Sequence, residues 1–211
     1  MTHTDNSSKY WIFVNGPCGA GKTTALSALG NRYSYNVLKV GPYFRATTES
    51  HDYGPLKTAM TNRVPIPNKY IEQYIHEHAT LKGKIFLVDG LPRSKENIVL
   101  IDKLSQMYFI PVFVSINISF AASVERVLRR RTCVECGNVG DMPVCLHCGR
   151  LTVLRNDDAK MDMDVLNRRY HSMQSVIHTL SQKHNVHVID GSKSTEQIAN
   201  DLYVIIQRTT F

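Results

Sequence analysis

The chain has 211 residues, enough for one full core with small excursions or at most two compact domains. Hydrophobic residues make up 43% and charged residues 20%, which excludes disorder as the default. The formal net charge of +7 asks for an anionic partner, either nucleic acid or a ligand with several phosphates, and charge alone does not choose between them.

Residues 1–9 are polar and lack the apolar stretch of a secretory signal. No run approaches the ~18 apolar residues that cross a bilayer. The expectation is a loose tail over residues 1–8, a cytoplasmic fold and no membrane partner. Four of the five cysteines fall between Cys133 and Cys148, a cluster that points to metal and away from a disulfide framework.

The first apolar run, residues 11–14, reads as a buried strand and leads into Gly16-Pro17-Cys18-Gly19-Ala20-Gly21-Lys22-Thr23. That segment fits the G-x-x-x-x-G-K-[ST] phosphate loop without a gap, and the helical run from Thr24 to Leu29 follows it. Glycines let such a loop turn its N–H groups onto phosphates, and the helix N-terminus adds favourable partial charge. Lys22 supplies a mobile point charge, and the Thr23 hydroxyl suits Mg²⁺. A plain glycine-rich turn is the alternative, and the agreement of motif and flanks stands against it. Cys18 reads as a small loop filler or as a redox-sensitive thiol.

Residues 37–40 read as a second strand; residues 41–82 read as helical without a clear strand, broken by Gly54-Pro55 and by Val64-Pro65-Ile66-Pro67. Residues 85–88 form the next strand and end on Asp89, a carboxylate able to orient a metal's water shell or simply to cap a turn. Gly90-Leu91-Pro92-Arg93 follows, so that Arg93 projects where strand ends converge on a ligand. A helix over residues 97–107, a strand over 112–116 and a helix over 120–131 come next. Strands this continuously apolar belong in a parallel sheet covered on both faces.

Cys133-Val134-Glu135-Cys136 and Cys145-Leu146-His147-Cys148 are two Cys-x-x-Cys pairs, each followed by glycine. Four thiolates complete a closed tetrahedral zinc site, structural and not catalytic; a redox pair or an iron centre shares the spacing. Residues 157–183 read as the longest helix and 186–189 as the last strand.

In phosphate loop, Asp-Gly-Leu-Pro-Arg turn, paired Arg126 and Arg130, the Arg155 and Asp157-Asp158 segment, and Asp190-Gly191-Ser192, the chain resembles adenylate kinases and their nucleoside-monophosphate-kinase relatives. The resemblance implies an α/β P-loop kinase fold, a five-stranded parallel sheet flanked by helices. Residues 9–40, 83–130 and 155–208 would form the core, 41–82 a monophosphate-binding insertion and 131–154 a zinc lid. It implies γ-phosphate transfer from ATP to AMP or another nucleoside monophosphate, with Mg²⁺ and structural Zn²⁺.

Residues 16–24 with Arg126, Arg130 and Ser192 would bind ATP. Val40, Arg45, Gly90, Arg93 and Asn97 would bind the monophosphate, Asn97 standing where the family has a base-reading glutamine. Lys22, Arg93, Arg126, Arg155 and Arg169 would serve transfer, and Thr23 with Asp89 the magnesium. The chain departs from the family at Val40-Gly41-Pro42, which replaces Thr-Gly-Asp, and at Leu166, where a lid-side arginine is usual; Arg168 and Arg169 are both candidates to replace it. The competing reading is a nucleic-acid-binding ATPase that uses the zinc ribbon as reader. The ribbon has little aromatic material for stacking bases, so nucleic acid is not the expected partner, and a monomer is.

Overall fold

The computed structural model describes residues 8–50, 54–62, 64–145, 147–154 and 162–210. Five strands, β1 (Tyr10–Asn15), β2 (Asn36–Lys39), β3 (Ile85–Asp89), β4 (Ile110–Asn117) and β8 (Val186–Asp190), form one sheet in the order β2-β3-β1-β4-β8. Every pairing in it is parallel, with Ile12 opposite Leu87 on one side and Val112 on the other. The central β1 sends its chain toward β2 first and β3 later turns back across to β4. The crevice beyond the carboxyl end of β1 is therefore the topological switch point, where ligands of such sheets bind.

Both faces of the sheet are covered, as unbroken apolar strands require. On one face Ile12, Val14, Leu87 and Val114 pack under α1 (Lys22–Tyr33) and α8 (Thr195–Thr210) through Leu26, Leu29, Ile198 and Leu202. On the other, Trp11, Phe13, Phe86 and Phe113 pack under α4 (Asn68–Ala79), α5 (Lys95–Tyr108) and α7 (Met163–Lys183). Trp11 stacks on Phe109 with ring centroids 4.5 Å apart.

Two excursions leave this body. Between β2 and β3 lie α2 (Val40–Ser50), α3 (Gly54–Asn62) and α4, so residues 41–82 are helical as their pattern implies. After α6 (Phe120–Arg129) a three-stranded antiparallel sheet, β6-β5-β7, is built from β5 (Arg131–Cys133), β6 (Val139–Gly140) and β7 (Thr152–Leu154).

Several boundaries move. Val40 opens α2 and does not end β2, and Arg131 leaves the helix expected over 120–131. The backbone turns extended at Arg130, and Arg131 pairs with Leu154 and Gly140. The α5 helix begins two residues early because Ser94 caps it, accepting from Asn97 N–H. Asp162 caps α7, which fills 163–183 of the expected 157–183; residues 157–161 and Arg155 lie outside the described residues. Among the described residues no helix is long and apolar enough to cross a membrane.

Candidate active site

The phosphate loop leaves β1 at Gly16, whose φ of 142° and whose close approach to the Ile116 carbonyl, 2.3 Å from where a Cβ would stand, admit no side chain. Gly21 caps α1 in the left-handed region. The loop is anchored from behind: Ser123 Oγ donates to the Cys18 carbonyl at 2.7 Å. Arg126 Nη1 donates to the Gly19 carbonyl at 3.3 Å and the Gly191 carbonyl at 2.7 Å. Arg126 thus ties the loop to the β8–α8 turn. There Ser192 N–H donates to Asp190 Oδ1 and holds that carboxyl below its ordinary range.

Lys22 folds back over its own loop, donating to the Gly16 carbonyl at 2.6 Å and the Pro17 carbonyl at 2.8 Å. It is partly exposed. Desolvation by the surrounding protein pushes its ammonium below the ordinary lysine value, and the charges of Arg93 and Arg130 act the same way. Next to it, Thr23 Oγ1 donates to Asp89 Oδ2 at 2.5 Å, across 66 residues of chain. A hydroxyl and a carboxylate side by side at the mouth of a phosphate loop are hard oxygen donors of the kind Mg²⁺ takes.

The turn after β3 is fixed from two directions. Asn15 is buried, and with its amide nitrogen turned toward them it donates to the Leu91 and Pro92 carbonyls at 3.0 and 3.1 Å. Arg93 Nε donates to the Gly90 carbonyl at 2.7 Å. A Cβ on Gly90, at φ 103°, would stand 2.7 Å from Arg93 Nη2, so the guanidinium lies where only glycine leaves room.

The α2 helix brings Arg45 to the same place. The open side of Gly41 faces Arg45 Nη1 at 3.5 Å and Arg93 Nη2 at 3.8 Å, measured from the position of a Cβ. Arg93 remains open to solvent in the cleft; the surrounding protein depresses it, Asp89 opposes that, and Arg169 and Arg45 add to it as neighbouring positive charges. Like charges gathered this closely favour an anion among them. Arg169, three positions beyond Leu166, is the member of the Arg168–Arg169 pair whose charge reaches Arg93. Arg168 is exposed, and Leu166 is buried against Val127.

Not every residue expected here shows a polar group to the cleft. Val40 is buried in the core at the start of α2. Asn97 is 1% exposed, its Oδ1 accepting from Arg93 N–H at 3.0 Å and its Nδ2 donating to Asn68 Oδ1 at 2.8 Å. Its side chain is occupied inside the protein. Asn15, Asn68 and Ser123 were not singled out from sequence. Each acts across a distance in the chain, and no local pattern marks them.

In the three-stranded sheet the sulfurs of Cys133, Cys136, Cys145 and Cys148 all lie within 4.8 Å of one another, the nearest pairs at 3.5 and 3.6 Å. Tetrahedral zinc with Zn–S bonds of ~2.3 Å sets its sulfurs about 3.8 Å apart, so the four fit that ion. The backbone N–H groups of Cys148 and His147 hold the Cys145 thiol down to about 6 and those of Cys136 and Glu135 lower Cys133, while the crowding of the four sulfurs pushes Cys136 and Cys148 up, so the four thiols share their protons unequally. Arg131 braces the sheet, donating to Thr152 Oγ1 at 2.9 Å and the Thr152 carbonyl at 2.8 Å.

Comparison with known proteins agrees with this geometry. Residues 15–135 match the family described as AAA domain. The chain is 27% identical over 209 residues to the adenylate kinase of Thermoanaerobacter sp. (strain X514), the match covering 90% of this chain and 95% of that one. It is 27% identical over 206 residues to the adenylate kinase of Pyrococcus horikoshii, covering 89% and 91%. With that of Petrotoga mobilis it shares 24% over 207 residues, covering 91% and 95%.

Proposed function

The chain belongs to the AAA domain family, with adenylate kinases as relatives along nearly its whole length, and from that premise we propose that it moves the γ-phosphate of ATP to a nucleoside monophosphate, AMP foremost. The observation that carries the reading is the meeting of Arg45 and Arg93 beside Gly41, within electrostatic reach of the phosphate loop. A loop that only hydrolyses ATP has no use for a second phosphate grip. An acceptor that is itself a phosphate monoester does.

The chemistry needs no general base. A monoester's second pKa is about 6, so its attacking oxygen is largely ionised at neutral pH. What remains is in-line positioning and stabilisation of charge on the moving group. Arg93 and Arg45 hold the acceptor phosphate. Lys22, already at the loop's mouth on two carbonyls, meets the outer phosphates of the donor. Arg126, Arg130 and Arg169, with Arg155, complete the positive surround. Arginine suits these positions because its planar fork grips phosphate at two points and stays charged.

Thr23 and Asp89 would hold Mg²⁺, which when bound screens the donor phosphates. The four cysteines would hold Zn²⁺ in a lid whose closure keeps water from the moving phosphoryl group. A cytoplasmic monomer belongs to this reading, and sedimentation at the chain mass of 23.9 kDa checks the second half of it.

A panel of ribo- and deoxyribonucleoside monophosphates offered with ATP and Mg²⁺ tests the proposal. Diphosphate should form, and Lys22→Ala or Arg93→Ala should slow it by on the order of 10²-fold or more. Phosphate release with no diphosphate from any acceptor would leave an ATPase instead, and the proposal would fail.

A further inference from the structure

Asn97 reaches back from the first turn of α5 to the residue that has just left the Asp89–Arg93 turn. Its Oδ1 accepts from Arg93 N–H at 3.0 Å, its Nδ2 donates to Asn68 Oδ1 at 2.8 Å, and Asn68 Nδ2 donates to the Glu96 carbonyl at 3.2 Å. The two ends of this relay are backbone groups of fixed polarity, an N–H at one end and a carbonyl at the other. Both amides are therefore oriented uniquely; flipping either would set like against like.

The relay joins three elements. Asn68 opens α4, the last helix of the insertion that also carries Arg45, while Asn97 and Glu96 lie in α5. Arg93 is thereby held at both ends, its main chain by Asn97 and its guanidinium by the Gly90 carbonyl at 2.7 Å. At 1% exposure Asn97 has no edge in the cleft, and a base could engage its amide only by taking it from Arg93 or Asn68. The part-buried Arg93 N–H would lose its acceptor in such an exchange, which opposes binding.

We propose that Asn97 is a positioning residue which, through Asn68, fixes the main chain of Arg93 and takes no part in choosing the acceptor base. This rests on the phosphotransfer reading above and sharpens it: at this position the chain selects an acceptor by its phosphate and not by its base. The methylene missing relative to glutamine keeps the amide against the turn and out of the cleft.

Steady-state kinetics of the whole protein with AMP, GMP, CMP and UMP as acceptors, for wild type, Asn97→Ala and Asn68→Ala, test it. A loosened Arg93 should lower kcat and raise KM for the acceptor, together reducing kcat/KM by roughly 10-fold for Asn97→Ala, with a smaller loss for Asn68→Ala. The KM for ATP should stay unchanged, and the loss should be the same factor for every acceptor. A merely structural role would lower kcat through the active fraction and leave both KM values alone, which overturns the proposal. So would a change in the ratio of kcat/KM between bases in Asn97→Ala. Should Asn97→Ala not fold, the same two readouts in Asn68→Ala decide. No transfer by wild type to any of the four, nor to the deoxyribonucleoside monophosphates, would overturn both this proposal and the kinase reading; a base-dependent effect would overturn this one only.

Discussion

A single lysine shows how the site is tuned. Lys22 is tied to two carbonyls of its own loop, and crowding by protein lowers its proton affinity below the ordinary 10.5. The sign follows from that direction. The native state binds this proton less well than the unfolded chain, so the charged lysine weakens the fold below its depressed value. That penalty fades as pH rises toward 10.5, and the partial solvent exposure of Lys22 keeps it small. The same depression matters more for binding, because the ammonium is lost earlier as pH climbs. The value of kcat/KM for ATP, which reports the free enzyme, should therefore fall on an alkaline limb centred below 10.5. A profile flat up to 10.5 would contradict it. Arg93 is depressed by the same kind of crowding, yet an arginine remains charged throughout that range.

At the scale of elements, the three-stranded sheet stands apart from the rest because it has almost nothing apolar to bury. Among its described residues Val134, Met142, Val144, Leu151, Val153 and Leu154 are all at least 48% exposed, while Cys133, Cys145 and Thr152 are buried. A segment this small cannot be held by hydrophobic burial and needs a cross-link. The four convergent sulfurs supply the place for one. The purified protein should carry about one zinc per chain, and Co²⁺ exchanged into it should show thiolate-to-metal charge transfer that Cys136→Ser removes. Chelation should abolish transfer while the far-UV signal of the five-stranded sheet persists; metal content near zero in active protein would refute the assignment. The relay from Asn68 to Asn97 works on the same scale, since it couples α4 to the turn before α5.

Across the whole molecule, stability is carried by two apolar layers on either side of one parallel sheet. Aromatic residues of β1, β3 and β4 fill one of them, with Phe86 5.7 Å from Trp11 and Phe13 5.4 Å from Phe113. Phe86 is fully buried, and truncation to Ala should cost about 3–5 kcal/mol through lost burial and the cavity left behind. Trp11 is the chain's one tryptophan, so its fluorescence in a denaturant titration reads that loss directly. A change below ~1 kcal/mol would mean that the layer collapses around the gap. The sheet also sets the site: all five strands point their carboxyl ends the same way, which gathers Gly16, Asp89 and Gly191 at one rim.

Local order in the chain determined the strands, the phosphate loop and the cysteine pairs, because each depends on residues within about ten positions of one another. Continuous apolar runs fix buried strands, and glycine spacing fixes the loop. Element ends were legible only to within a few residues, since Val40 and Arg131 take their conformations from partners elsewhere. Tertiary structure alone decided which cations meet. The charge of Arg169 is felt at Arg93 while Arg168 faces solvent, a difference of one position that depends on how α7 is rotated against the sheet. It also decided that Asn97 spends its amide on Arg93 and Asn68, 4 and 29 residues away. Hydrogen bonds between elements depend on where helices cross, and crossing is set by the packing of whole faces, which no short stretch of sequence contains.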